Sequence, residues 1–208
     1  MEGSNTISGP AGEIHSSKRA VIVGIPGVGK TTVIARASEI LSQKKRSRTV
    51  VFGTLMFEEA KKTLGIKDRD EMRRLPVETQ RRLQENAAQR ISEMDEEVVI
   101  VDTHLFISTG EGYYPGLPMR LLNVMKPTNL IMVAATPDEI AGRRKNDQTR
   151  KRDSASPAEI QGDLEVSKSM IASCSVLTGA PFAVVMNSEN GVEHAARQIA
   201  RILGDGMK

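Results

Sequence analysis

Residues Gly24-Ile25-Pro26-Gly27-Val28-Gly29-Lys30-Thr31 fill every fixed position of the phosphate-loop pattern G-x-x-x-x-G-K-[ST]. An apolar run at 20–23 precedes the pattern and reads as a buried strand, and residues 32–41 follow with helical spacing. A strand that turns through glycines into a helix can curl its backbone N–H groups around one centre. The helix N-terminus adds partial positive charge at the same place. In such a loop Gly24 to Thr32 would surround a chain of phosphates. Lys30 would reach the outer phosphates and the Thr31 hydroxyl would ligate Mg2+.

Further short apolar runs at 49–52, 98–101, 130–134 and Phe182–Met186 each read as a strand buried on both faces, with helical patterns between them. This alternation predicts a single α/β domain, a five-stranded parallel sheet with helices on both sides. Active groups in such a sheet gather at the carboxyl ends of the strands. Helices are predicted over 77–94, from a Ser156 cap through Pro157 to Thr178 with Glu159 as capping-box partner, and over Val192–Leu203. Gly179 and Gly204 would stop the last two. Two insertions break the alternation, one over about 53–95 and one over 143–153, and both leave the catalytic edge as covers for bound molecules.

The 208 residues suffice for one core, the formal net charge is only +3, and the basic residues are clustered. Local phosphate sites follow more readily than a general nucleic-acid face. Aromatics are 3% and tryptophan is absent, which argues against a stacking platform for single strands. Cys174 is the one cysteine, so no internal disulfide or cysteine-based metal cluster can form, and a reducing cytoplasm is the expected compartment. No run has the length of a membrane span. Residues 1–17 read as a flexible polar tail before a domain of 18–208.

Six of the ten residues at 143–152 are cationic, Arg143, Arg150 and Arg152 among them. Beside a phosphate loop this stretch reads as a lid whose arginines stabilise the charge on a phosphoryl group in transfer. The strand at 98–101 ends in Asp102, placed to orient Mg2+ or its waters, and His104 lies two residues on. Arg69 and Arg73 stand four apart on one helical face and could hold an acceptor phosphate, or could pair with Asp70 and its neighbours. Residues 110–118 read as a rigid Gly/Pro-punctuated loop carrying both tyrosines. Lys44, Lys45 and Arg46 suit a helix C-terminus.

Taken together, GIPGVGKTT at 24–32, FGTLMFEEAKK at 52–62, KDRDEMRRLPVETQRRLQ at 67–84, VDTH at 101–104, GYYPGLP at 112–118, RRKNDQTRKRD at 143–153 and NSENG at 187–191 resemble adenylate kinases of the archaeal type. The resemblance implies reversible, Mg2+-dependent transfer from ATP to AMP, giving two ADP. It implies ATP phosphates on Gly24, Ile25, Pro26, Gly27, Val28, Gly29, Lys30, Thr31 and Thr32, with Thr31 and Asp102 at the metal. Arg143, Arg150 and Arg152 would belong to the lid, with Lys30 and Arg73 in the catalytic set. The acceptor pocket would take Gly53, Thr54, Arg69, Arg73 and Gly116. A homotrimer is also implied. The chain departs from the bacterial and eukaryotic pattern: their early acceptor-side arginine is replaced near Glu58, GYYPGLP stands for D-G-F-P-R, and Arg120 is left as the substitute arginine. The short lid lacks a Cys/His cluster for zinc.

Two other readings remain open at the level of sequence. One is a kinase of the same fold for another small acceptor. The other is an ATP-binding switch or RNA-processing factor on an adenylate-kinase-like fold. A GTPase switch is disfavoured, because no N-K-x-D motif is found.

Overall fold

The structure is a computed structural model, and it describes residues 17–146 and 155–204. The tail at 1–16 and the stretch 147–154, with Arg150 and Arg152, lie outside the described residues.

Apolar strands that need cover on both faces stack at the centre. β1 (Lys18–Val23) lies between β3 (Val98–Asp102) and β6 (Asn129–Ala134), with β2 (Ser47–Val51) and β7 (Phe182–Met186) at the edges. All four pairings are parallel, in the order β2-β3-β1-β6-β7. The register sets Ile22 opposite Asp102 and Val51 opposite Asp102 on its other side. The chain leaves β1 toward one edge and later crosses from β3 to the other side, so the crevice at the end of β1 is where a ligand belongs.

All five residues of β3 are buried, as are the last four of β1. The edge strands are not buried on both faces as their apolar runs suggest. In β2 only Val50 is buried, and in β7 only Val185. Each edge strand has one neighbour and incomplete helix cover, so its alternate side chains reach the surface. β2 also ends at Val51, and Phe52 opens the next helix without a connecting loop.

The helices follow their expected stripes. α1 (Lys30–Ser42) starts two residues earlier than its apolar periodicity does. α7 (Pro157–Thr178) has the full Ser156–Glu159 capping box and ends at Gly179, which is left-handed at φ 73°. Ile160, Leu164, Ser167, Ile171 and Cys174 form its buried face at alternating four- and three-residue steps. α8 (Val192–Leu203) packs beside α1, where Arg36 donates to Glu193 at 2.6 Å.

The first insertion is three helices: α2 (Phe52–Leu64), α3 (Arg69–Arg73) and α4 (Val77–Ser92), the last ending two residues before its apolar pattern. They enclose a small core of their own, Ala60, Ile66, Met72 and Leu83. Asp68 caps α3 by accepting from the Glu71 N–H at 2.8 Å, and Glu71 accepts from the Lys67 N–H at 2.8 Å.

Residues 110–118 are not loop throughout, since 112–115 form a strand. β4 (Phe106–Thr109) and β5 (Gly112–Pro115) form a two-stranded hairpin with Ile107 opposite Tyr114. Gly112 takes φ 115° just after the turn. Tyr113 packs edge-on to Phe106 with ring centroids 4.6 Å apart, and its hydroxyl donates to Asp163 of α7 at 3.0 Å. The hairpin folds back because Gly116 lies directly against the His104 carbonyl, where a Cβ would collide with backbone. α5 (Met119–Met125) and α6 (Pro137–Asn146) complete the described chain.

Candidate active site

β1 ends in the core, and the loop from Gly24 to Gly29 carries the chain to α1. Gly29 caps that helix in the left-handed region at φ 79°, and the first turn of α1 holds no acidic residue. The helix N-terminus therefore keeps its partial positive charge toward the loop. Thr31 and Thr32 are exposed there.

Lys30 and Asp102 are the charged pair at the centre, with side chains only 10% and 8% exposed. The Lys30 ammonium lies in direct ionic contact with the Asp102 carboxylate at the end of β3. Burial pulls the Lys30 ammonium down to about 8. At about 8 the ammonium still carries its charge at neutral pH. Asp102 and Thr31 share a shallow depression of about 360 Å³. A hydroxyl and a carboxylate form an all-oxygen donor set of the kind Mg2+ takes when substrate phosphates and water complete its shell. Among the described residues no group of three or more His, Cys, Asp or Glu could hold a metal by itself.

The loop is braced from outside. Arg144 donates Nε to the Pro26 carbonyl at 2.9 Å. Asn187, 2% exposed at the end of β7, donates Nδ2 to the Val28 carbonyl at 2.8 Å. Arg143 donates to the same carbonyl at 3.3 Å and to the Asn187 carbonyl at 2.8 Å. Arg143, expected as part of the lid loop, is therefore a residue of α6 turned onto the phosphate loop. The acidic start and basic end of this helix suit its dipole, which extends the helix into the charged stretch.

On the insertion side, Arg69 donates to the Thr54 hydroxyl at 2.7 Å, and its guanidinium lies over the Phe57 ring 5.9 Å from the centroid. Gly53 faces the same guanidinium. Gly53, Thr54 and Arg69 thus come together. Arg73 instead pairs with Asp70 at 2.7 Å, with a side chain 72% exposed. Arg120 donates to Gln84 of α4 and lies 3.7 Å from Glu85. A cleft of about 710 Å³ opens between Gly24–Pro26, the hairpin and α7, with His104 and Arg144 on its wall. A second groove, about 940 Å³, runs between α4 and β5 beside Arg81, Arg82 and Arg120.

Two contacts with the loop are not evident from motif spacing. Asn187 and Arg144 lie more than a hundred residues from it, and although both fall in segments that carry the family resemblance, spacing does not show their contact with the loop. The general rule that functional groups sit at strand carboxyl ends does point to Asn187, the first residue after β7.

A family profile described as an AAA domain matches residues 23–161. Among curated proteins, the chain is 40% identical to an adenylate kinase of Thermoplasma acidophilum, with 89% of this chain and 98% of that protein covered. It is 39% identical to an adenylate kinase of Methanocaldococcus jannaschii (90% and 98% covered) and 38% identical to one of Methanococcus aeolicus (89% and 97%). Among solved structures it resembles a shikimate kinase of Acinetobacter baumannii at TM-score 0.57, 14% identity, with 93% of this chain and 97% of that one covered. A shikimate kinase of Bacteroides thetaiotaomicron gives TM-score 0.56 at 16% identity, covering 89% and 98%. These two likenesses show the phosphate-loop kinase fold: a five-stranded parallel sheet flanked by helices.

Proposed function

The chain belongs to the adenylate kinase family, and from that premise we propose that it transfers the terminal phosphoryl group of ATP reversibly to AMP, giving two ADP. The observation that carries this reading is the buried Lys30–Asp102 pair at the Gly24–Thr31 loop, with Asp102 beside the end of β2, from which runs a separate insertion where Arg69 meets Gly53 and Thr54. One side suits donor phosphates and the other an acceptor phosphate.

The chemistry is positioning and charge stabilisation. The loop's N–H groups and the α1 N-terminus hold the donor phosphates, and Lys30 turns from Asp102 toward the outer ones. Thr31 and Asp102 would hold Mg2+, which supplies charge neutralisation on the phosphate oxygens. Arg69, beside Gly53 and Thr54, holds the acceptor phosphate, with Arg73 able to join by releasing Asp70. Gly116 sits at the base of the hairpin that borders the acceptor side. Arg150 and Arg152 are proposed to close over the transferring group, while Arg143 braces the phosphate loop from α6. No general base is required, because the acceptor phosphate is already ionised.

A homotrimer is proposed from the archaeal resemblance, and a cytoplasmic compartment from the single cysteine. Among the described residues no helix is long and apolar enough to cross a membrane. Light scattering would read three times the 22.7 kDa of one chain. The reaction is tested by presenting Mg-ATP with AMP, GMP, CMP and UMP in turn. Fast ADP formation with AMP alone is expected. Transfer to another monophosphate would overturn the acceptor. ATP binding with no transfer to any acceptor would overturn the kinase reading.

A further inference from the structure

Two of the loop's peptide planes are gripped by their carbonyls: that between Pro26 and Gly27 by Arg144, and that between Val28 and Gly29 by Asn187 with Arg143. In a planar trans peptide the N–H lies on the edge opposite the C=O. Fixing the Val28 carbonyl toward Asn187 therefore aims the Gly29 N–H away from Asn187. A rotation of this plane would turn a carbonyl, rather than an N–H, toward any anion in the loop.

Asn187 is built for this contact. It is 2% exposed, and its own N–H is anchored to the Ala134 carbonyl at 2.7 Å, so the side chain springs from a fixed point between β6 and β7. The next turn is pinned as well, since Glu139 accepts from the Glu189 N–H at 2.5 Å. The Asn187 amide occupies the space that a Cβ on residue 29 would need, which adds a packing reason for glycine there beyond its φ of 79°. Among the described residues its buried Oδ1 has no hydrogen-bond partner. A buried acceptor without a donor disfavours the fold, so the residue is poorly explained by stability and well explained by what its Nδ2 does.

We infer that Asn187 is a positioning residue for the donor nucleotide: its Nδ2 sets the Val28–Gly29 peptide so that the Gly29 N–H faces the ATP phosphates. The inference rests on the reading that this loop holds ATP.

Asn187→Leu tests it, because leucine keeps the branched shape of asparagine, with larger methyl groups, and removes both the donor and the orphaned acceptor. The Kd of Mg-ATP by titration calorimetry, the KM values for Mg-ATP and AMP, and the Tm are compared with wild type. Loss of one positioning hydrogen bond predicts about a tenfold weaker Mg-ATP Kd and a matching rise in its KM. The AMP KM should stay within about twofold, a margin well inside the effect of one hydrogen bond, and the Tm should be unchanged or raised. Asn187→Ala, smaller and free of any overpacking, should show the same selective loss if the leucine variant does not fold. An unchanged Mg-ATP Kd, or an equal rise in both KM values with a fall in Tm, overturns the inference. Failure of the underlying reading looks different: wild-type protein would then not bind Mg-ATP at all.

Discussion

Raising the pH through 8 removes the charge that the proposed mechanism needs at Lys30. Burial holds this ammonium at about 8 against an ordinary 10.5, while the side chain is only 10% exposed. In the free enzyme, kcat/KM for Mg-ATP should fall on an alkaline limb centred near 8, leaving about a tenth of the plateau at pH 9. Once ATP is bound, its phosphates favour the ammonium, so the limb in kcat should move up by about a unit or more. Stability runs the other way. The folded value lies below the unfolded one, so the unfolded chain binds more protons between pH 8 and 10.5. This group's contribution to stability therefore rises with pH across that window, by up to about 3 kcal/mol. Steady-state rates from pH 6 to 9.5, with urea unfolding at both ends, read both trends. Lys30→Arg is the control, since a guanidinium does not titrate in this range. A flat kcat/KM up to pH 9.5, or the same limb in Lys30→Arg, would refute the assignment of the charge to Lys30.

Asp102→Asn should lower kcat by about 10² by removing the carboxylate proposed at the metal, and should raise the Mg2+ concentration needed for half-maximal rate; kinetics over a Mg2+ series checks both. Arg69→Ala should raise the AMP KM by about tenfold or more through loss of a charged hydrogen bond while sparing the Mg-ATP KM. Arg73→Ala, which first removes only a solvent-exposed pair with Asp70, should change the AMP KM less. Leu83→Ala, in the small core of the first insertion, should cost about 2–5 kcal/mol locally. That loss would appear as faster amide exchange in α2 to α4 and a weaker hold on AMP.

Sequence and structure agree most closely where one local signal determines one element. Ser156, Pro157, Glu159 and Gly179 bound α7 at both ends because caps are local chemistry. The phosphate loop is legible for the same reason. The edge strands are not, since an apolar run does not reveal how many neighbours it will have, and β2 and β7 each have one. The hairpin at 106–115 is hidden by glycine and proline, which mark a turn equally well in a loop or between two four-residue strands. Arg143 reads as lid because charge alone does not show where α6 stops. The Lys30–Asp102 contact and the Asn187 brace join residues 72 and 159 positions apart, a proximity fixed by the order of the parallel strands.

The most direct test of the reaction starts from ADP alone. With Mg2+ and the purified protein, phosphorus NMR should show ADP converting to ATP and AMP in equal amounts, because both nucleotide sites must fill and exchange one phosphoryl group. Lys30→Ala should slow this by about 10² or more. Persistence of ADP, or release of inorganic phosphate in place of ATP, would contradict the account.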